Sequence, residues 1–194
     1  MKILIVGDSF SADWTVKYPK SKGWVNHLAG ITEVVNLSQA GCSEYKILQQ
    51  LYDGLQHFPD YVIVSHTSPY RLFVESHPVH SGDVLHGDAD LIYSDIKEAS
   101  KTRPELEPLV QYFENFVSLD YQIGIYDLIL EKIDTILGFS SHVHITHLDW
   151  ESKHKFQHFL DFSSLWKKNK GTMNHYNEHG NLEILKVLNK RLDI

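Results

Sequence analysis

The chain alternates dense apolar runs with segments whose apolar positions recur every three or four residues. Ile3 to Val6 is an unbroken apolar run with β-branched members, closed by Gly7. Such a run reads as a strand buried on both faces, as in a parallel sheet covered by helices. Glu33-Val34-Val35-Asn36-Leu37 and Tyr61-Val62-Ile63-Val64 read as the second and third strands, and His142-Val143-His144-Ile145-Thr146 as a fourth. Between the first two, Trp24, Val25 and Leu28 share one face of a short helix. Between the next two, Tyr45, Leu48, Leu51, Tyr52 and Leu55 recur at helical spacing behind Ser43, a capping residue. Strand, helix, strand, helix, strand predicts a parallel sheet with right-handed crossovers.

The later pattern is less regular. Residues 65–89 form a loop rich in His, Gly and Pro, containing His77, His80 and His86, and a loop that long is functional or mobile. Helices are expected over 90–102 and 105–118, with the break at Arg103-Pro104, and over Leu119 to Leu137 with Gly138 at its end. Residues 67–118 read as an insertion over the sheet's carboxyl edge, within a single domain spanning 1–194. Trp150, Phe156, Phe159, Phe162 and Trp166 form an aromatic stripe that suits core packing better than a ligand box. A final helix begins at or near Asn177.

Bulk properties narrow the class. A chain of 194 residues buries roughly 70% of its unfolded surface, enough for one α/β core. With 42% hydrophobic and 22% charged residues, disordered and fibrous classes do not fit. The net charge of −7 argues against a phosphate-backbone binder, so no nucleic-acid partner is expected. Cys42 is the single cysteine, which rules out an intrachain disulfide and suits a reducing, cytoplasmic setting. The apolar run at 3–6 is too short for a signal-peptide core, and no stretch approaches the ~20 apolar residues of a membrane span. No membrane partner is expected, and the sequence does not specify an oligomeric state.

Candidate chemistry starts where the first strand ends. Gly7-Asp8-Ser9 places a hydroxyl just past the carboxyl end of that strand, the edge where open α/β sheets build sites. By itself the tripeptide is equally well a turn. A hydroxyl nucleophile needs a base, an oxyanion cradle and a group that orients the base. His175, just before the last helix, can fold back over the sheet as that base. Gly41, after the second strand, can expose a backbone N–H to an oxyanion.

These residues resemble the blocks of the SGNH, or GDSL-type, hydrolases: Gly7-Asp8-Ser9, then Gly41 behind Asn36-Leu37-Ser38-Gln39-Ala40, then His175-Tyr176-Asn177-Glu178-His179-Gly180. The resemblance implies a three-layer α/β/α sandwich with a mostly parallel, flavodoxin-like sheet. It also implies a serine esterase acting on a small acyl ester, an O-acetylated carbohydrate among the substrates. In that scheme Ser9 attacks the carbonyl, His175 takes its proton, and the N–H groups of Ser9 and Gly41 hold the oxyanion. Two features depart from the family. Its third block, normally carrying an Asn donor, is His66-Thr67-Ser68-Pro69, so Thr67 or Ser68 is left to donate. The Asp expected three residues before the His is Thr172, leaving Asp161, Asp149 or Thr172 to orient the imidazole, or a Ser9–His175 dyad. Arg71 is placed to meet an anionic group of the substrate.

Other readings stay open. An acyltransferase can use the same acyl-enzyme, and a decayed site can persist as a non-catalytic binding module. Among thirteen histidines, His142 with His144, and His154 with His158, are spaced to begin a zinc site. No third ligand stands at a recognisable spacing, so neither a metal nor another cofactor is expected. Without Gly-x-Gly-x-x-Gly after the first strand, dinucleotide binding is weakly supported.

Overall fold

The computed structural model of the chain describes residues 1–150, 152–171 and 175–194. Its strands are β1 (Lys2–Gly7), β2 (Glu33–Asn36), β3 (Tyr61–His66), β4 (Arg71–Leu72), β5 (Leu91–Ile92), β6 (His142–Thr146) and β7 (Phe159–Asp161). Five of them form one all-parallel sheet in the order β2-β1-β3-β6-β7, while β4 and β5 pair antiparallel by themselves. Counting only the strands of the large sheet, this is the flavodoxin-like order, whose switch point lies between β1 and β3.

The helices are α1 (Trp24–Ala29), α2 (Glu44–Leu55), α3 (Tyr93–Ser100), α4 (Glu107–Phe116), α5 (Leu119–Leu137), α6 (Ser163–Lys168) and α7 (Glu178–Leu192). The two-residue period of a strand explains how they form layers. Ile3, Ile5, Ile63, Val143 and Ile145 point to one face and bury against Trp24, Val25 and Leu28 of α1 and Ile184 and Leu188 of α7. Leu4, Val6, Val62 and Val64 point the other way, onto Ile47, Leu48 and Leu51 of α2 and Ile133 and Leu137 of α5. The result is a three-layer α/β/α sandwich. Sequence-level caps behave as their chemistry demands: Ser43 accepts the Lys46 N–H at α2, and Asn177 accepts the Gly180 N–H at 2.9 Å at α7.

Three elements differ from expectation. β7 is an edge strand of three residues, too short to leave an alternating pattern. β4 and β5 lie inside the expected loop and helix, and α3 begins at Tyr93 because Leu91 and Ile92 are paired with Leu72 and Arg71. Between β3 and β6, Leu91, Ile96, Val110 and Phe113 form a small core of their own, and this stretch forms one wall of the cavity at the sheet edge. In the aromatic stripe, Phe156 buries with Tyr126 and Leu130 of α5, with Trp150 and Phe159 packed on them, and Phe162 joins the α1/α7 core. Among the described residues no helix is long and apolar enough to cross a membrane.

Candidate active site

The Gly7-Asp8-Ser9 turn is fixed from several sides. The Gly7 N–H donates to Gln50 Oε1 of α2 at 2.8 Å, and the Gly7 carbonyl accepts from Gln39 N–H at 3.0 Å and Cys42 Sγ–H at 3.3 Å. Ser11 and Ala12 donate their N–H groups to the Asp8 carbonyl. Two indoles secure the following peptides: Trp14 Nε1–H donates to the Ser9 carbonyl at 2.8 Å, and Trp24 Nε1–H to the Phe10 carbonyl at 2.9 Å. Ser9 is thereby held, half-buried, on a turn whose carbonyls are all occupied.

Asp8 is buried and accepts the Phe10 N–H at 3.0 Å through Oδ1. Burial pushes its carboxyl up to about 6, against the lowering effects of that N–H, the Arg71 charge and the Thr67 hydroxyl beside it. Its role is to brace the turn, with Thr67 as neighbour. Thr67 is itself committed: its N–H donates to Glu44 Oε2 at 3.3 Å and its carbonyl accepts from Tyr126 O–H at 2.7 Å. Ser68 is the more open of the two hydroxyls.

Gly41 has φ of 78°, the left-handed region that favours glycine, and a Cβ there would lie 2.8 Å from Ala89 Cβ. A side chain is excluded on both counts. Asp90, fully buried, ties this loop to the wall above it. Its N–H donates to the Gly41 carbonyl at 2.9 Å, and its carboxylate accepts from Ser43 N–H at 2.6 Å and Val74 N–H at 2.9 Å. Lys46 completes the arrangement at 3.0 Å. Nothing in the sequence pattern singled out Asp90, because its partners lie 16 and 47 residues away.

His175 sits in an aromatic cage, its ring centroid 4.3 Å from Trp14 and 5.1 Å from Phe10. Phe10 in turn stacks on His147 at 4.7 Å. Tyr176 O–H donates to the Phe162 carbonyl, so His147 Nδ1, 3.0 Å from that hydroxyl, carries the proton. Burial and the neighbouring His175 hold His147 down to about 3, which keeps it neutral. His147 was not recognised in the sequence. It follows β6 directly, at the same carboxyl edge of the sheet as the Ser9 turn.

Ser9, Gly41, Thr67, Ser68, Arg71 and His175 all line one cavity of about 970 Å³ at the carboxyl edge of the sheet. Its far wall is built by α3 and the loop before β5, which bring His80, His86, Asp95 and Glu98. The Arg71 Nε makes no hydrogen bond among the described residues, and the guanidinium acts on Asp8 through space. Neither the Ser9 N–H nor the Gly41 N–H has an acceptor among the described residues, and both are therefore available to a ligand oxygen. Ser9 Oγ and the His175 ring share the wall without a hydrogen bond between them.

The suggested acids fall elsewhere. Asp161 is exposed and accepts the Ser163 N–H at 2.7 Å at the start of α6. Asp149 is exposed and paired with Lys167 at 2.6 Å. Neither lines the cavity, and Thr172 lies outside the described residues. Compared with known proteins, the chain matches no family model and no curated relative.

Proposed function

We propose that the chain is a serine esterase in which Ser9 is acylated by a small ester and His175 is the general base. The observation that carries this reading is the convergence of Ser9, Gly41 and His175 from three separate loops onto one cavity, with the Ser9 and Gly41 amides unengaged. Two unengaged amides beside a hydroxyl are the elements of an oxyanion hole. Hydrogen bonds between nucleophile and base often form only once substrate is bound. The step is an ordinary acyl transfer: Ser9 Oγ bonds to the carbonyl carbon, its proton passes to His175, and His175 returns that proton to the departing alkoxide. Water then releases the acid. Ser68 supports the oxyanion, and Arg71 faces an anionic substituent of the substrate.

The test is hydrolysis of an aryl acetate together with labelling by a fluorophosphonate. Both are expected in the native chain and absent in Ser9→Ala, with hydrolysis lost in His175→Ala. Unchanged hydrolysis in either variant overturns that residue's role. An unlabelled, inactive native chain overturns the esterase and leaves the cavity as a binding site.

A further inference from the structure

The second face of the sheet carries a buried polar chain that the esterase reading does not use. Glu44 of α2, His66 at the end of β3 and His144 of β6 all point to the α2/α5 side. Glu44 Oε1 lies 2.7 Å from His66 Nδ1, and His66 Nε2 lies 2.9 Å from His144 Nδ1. All three residues are buried. Phe156 stacks on His144 at 3.7 Å and shuts the chain from water on that side.

Proton positions follow from the donors and acceptors available. A carboxylate only accepts, so with neutral rings His66 Nδ1–H donates to Glu44. His66 Nε2 is then an acceptor, and His144 Nδ1–H must donate to it. That leaves His144 Nε2 as a bare lone pair, fully buried, with no hydrogen bond among the described residues. What it faces is Asp134 Oδ1 of α5, 3.6 Å away, another acceptor. The third member is His142, two residues back on the same strand face. Its Nδ1 lies 2.8 Å from the Ser140 carbonyl, so it donates there and its Nε2 is also a lone pair. One ligand atom from each of Asp134, His142 and His144 lies within 4.8 Å of the others. Three acceptors thus converge with no proton assigned between them. A cation at that point satisfies all three acceptors at once.

We propose that Asp134, His142 and His144 bind a divalent transition-metal ion, zinc by its chemistry. Two imidazoles and a carboxylate are borderline ligands of the kind zinc takes. Zinc bonds of about 2.0–2.1 Å at the tetrahedral angle set neighbouring ligand atoms about 3.4 Å apart, close to the 3.6 Å between His144 and Asp134. Each ring already donates its other nitrogen to an oxygen or to a carboxylate-linked histidine, the outer support that ligating histidines require. Asp134 is about one-third exposed and leaves an entry path, and its second oxygen lies 3.3 Å from His154 Nε2. The site is toward the amino end of β6, away from Ser9, so the ion clamps α5 to the sheet and fixes the tautomers of the chain ending at Glu44. The fold supplies, in Asp134, the third ligand that sequence spacing did not reveal.

The experiment uses the full, untagged chain, stripped with chelator and titrated with zinc chloride by calorimetry, with melting temperature recorded in parallel. About one ion per chain is expected, with a melting temperature that rises with free zinc. Asp134→Asn and His142→Gln, at the less buried members, are each expected to weaken that binding at least tenfold. His80→Gln and His86→Gln, in the histidine-rich loop, are expected to leave it unchanged. Cobalt substituted for zinc gives a visible ligand-field band that should vanish in Asp134→Asn and persist in Ser9→Ala. A native chain without stoichiometric zinc overturns the proposal, as does equal affinity in the Asp134→Asn, His142→Gln double variant. Circular dichroism of the stripped variants checks that lost binding is not lost folding.

Discussion

Gly7 and Ser65 stand side by side in the β1–β3 register, so close that a Cβ on Gly7 would lie 2.6 Å from Ser65 Cβ and 2.7 Å from the Ser65 carbonyl oxygen. The sheet and the turn that carries Ser9 are therefore joined at a point with no spare volume. Gly7→Ala is expected to destabilise the fold by about 1–3 kcal/mol, the usual cost of overpacking. Gly124, inside α5, is the contrast: apart from the backbone of its own helix, nothing lies within 4 Å of where a Cβ would sit. Gly124→Ala is expected to stabilise by about 0.5–1 kcal/mol. Denaturant midpoints at constant slope measure both.

Gln50 reaches from α2 to receive the Gly7 N–H, a contact across 43 residues in a buried setting. Gln50→Leu keeps much of the volume and leaves that N–H unpaired. A loss of about 1–3 kcal/mol is expected, the cost of an unsatisfied buried donor. Urea unfolding reads it, and a loss under 0.5 kcal/mol would show that the bond contributes little.

Asp8 sets a pH dependence with a definite sign. Its carboxyl is pushed up from 3.8 to about 6, so between about pH 4 and 6 the fold holds a proton that the unfolded chain has released. Stability falls as pH rises through that window. Asp8→Asn removes this loss, and relative to the native chain it is expected to gain stability from pH 4 to 7, by about 3 kcal/mol at most. Paired urea titrations at pH 4, 5, 6 and 7 test it. A constant difference between the two chains rejects a raised Asp8.

His147 acts in the opposite direction. Its imidazole is held down to about 3 from 6.5, so the unfolded chain takes up the proton first as the solution is acidified. Its contribution is fully present above about pH 6.5 and is lost as pH falls toward 3. His147→Phe keeps the stack on Phe10 and is expected to flatten the acid limb of the stability curve. An acid limb as steep as that of the native chain contradicts this account.

Asp149 and Asp161 both lie outside the cavity, one paired with Lys167 and the other accepting the Ser163 N–H at the start of α6. If Ser9 and His175 form the reactive pair, Asp149→Asn and Asp161→Asn are each expected to keep aryl acetate hydrolysis within about twofold. A loss beyond tenfold, about 1.4 kcal/mol, would make that residue the acid.

Much of the architecture was already written in local pattern. Ile3–Val6 and Tyr61–Val64 identify strands because a sheet covered on both faces demands a continuous apolar run, 142–146 does so by its alternation, and Ser43 and Asn177 identify helix starts because free N–H groups need caps. Ser9, Gly41 and His175 stood out because a hydroxyl past the first strand, a glycine in the loop after the second and a histidine before the last helix stand in the order of a known set of blocks. Tertiary structure alone decided the rest. β7 and the β4–β5 pair are too short to carry a period, and only neighbouring strands define them. Asp90 holds the Gly41 loop, Glu44 meets His66, and Asp134 meets His142 and His144 through contacts between elements far apart in the chain. No spacing rule links them. The order of residues determined which faces had to be buried; the packing of α2 and α5 against one face of the sheet decided which buried polar atoms would meet.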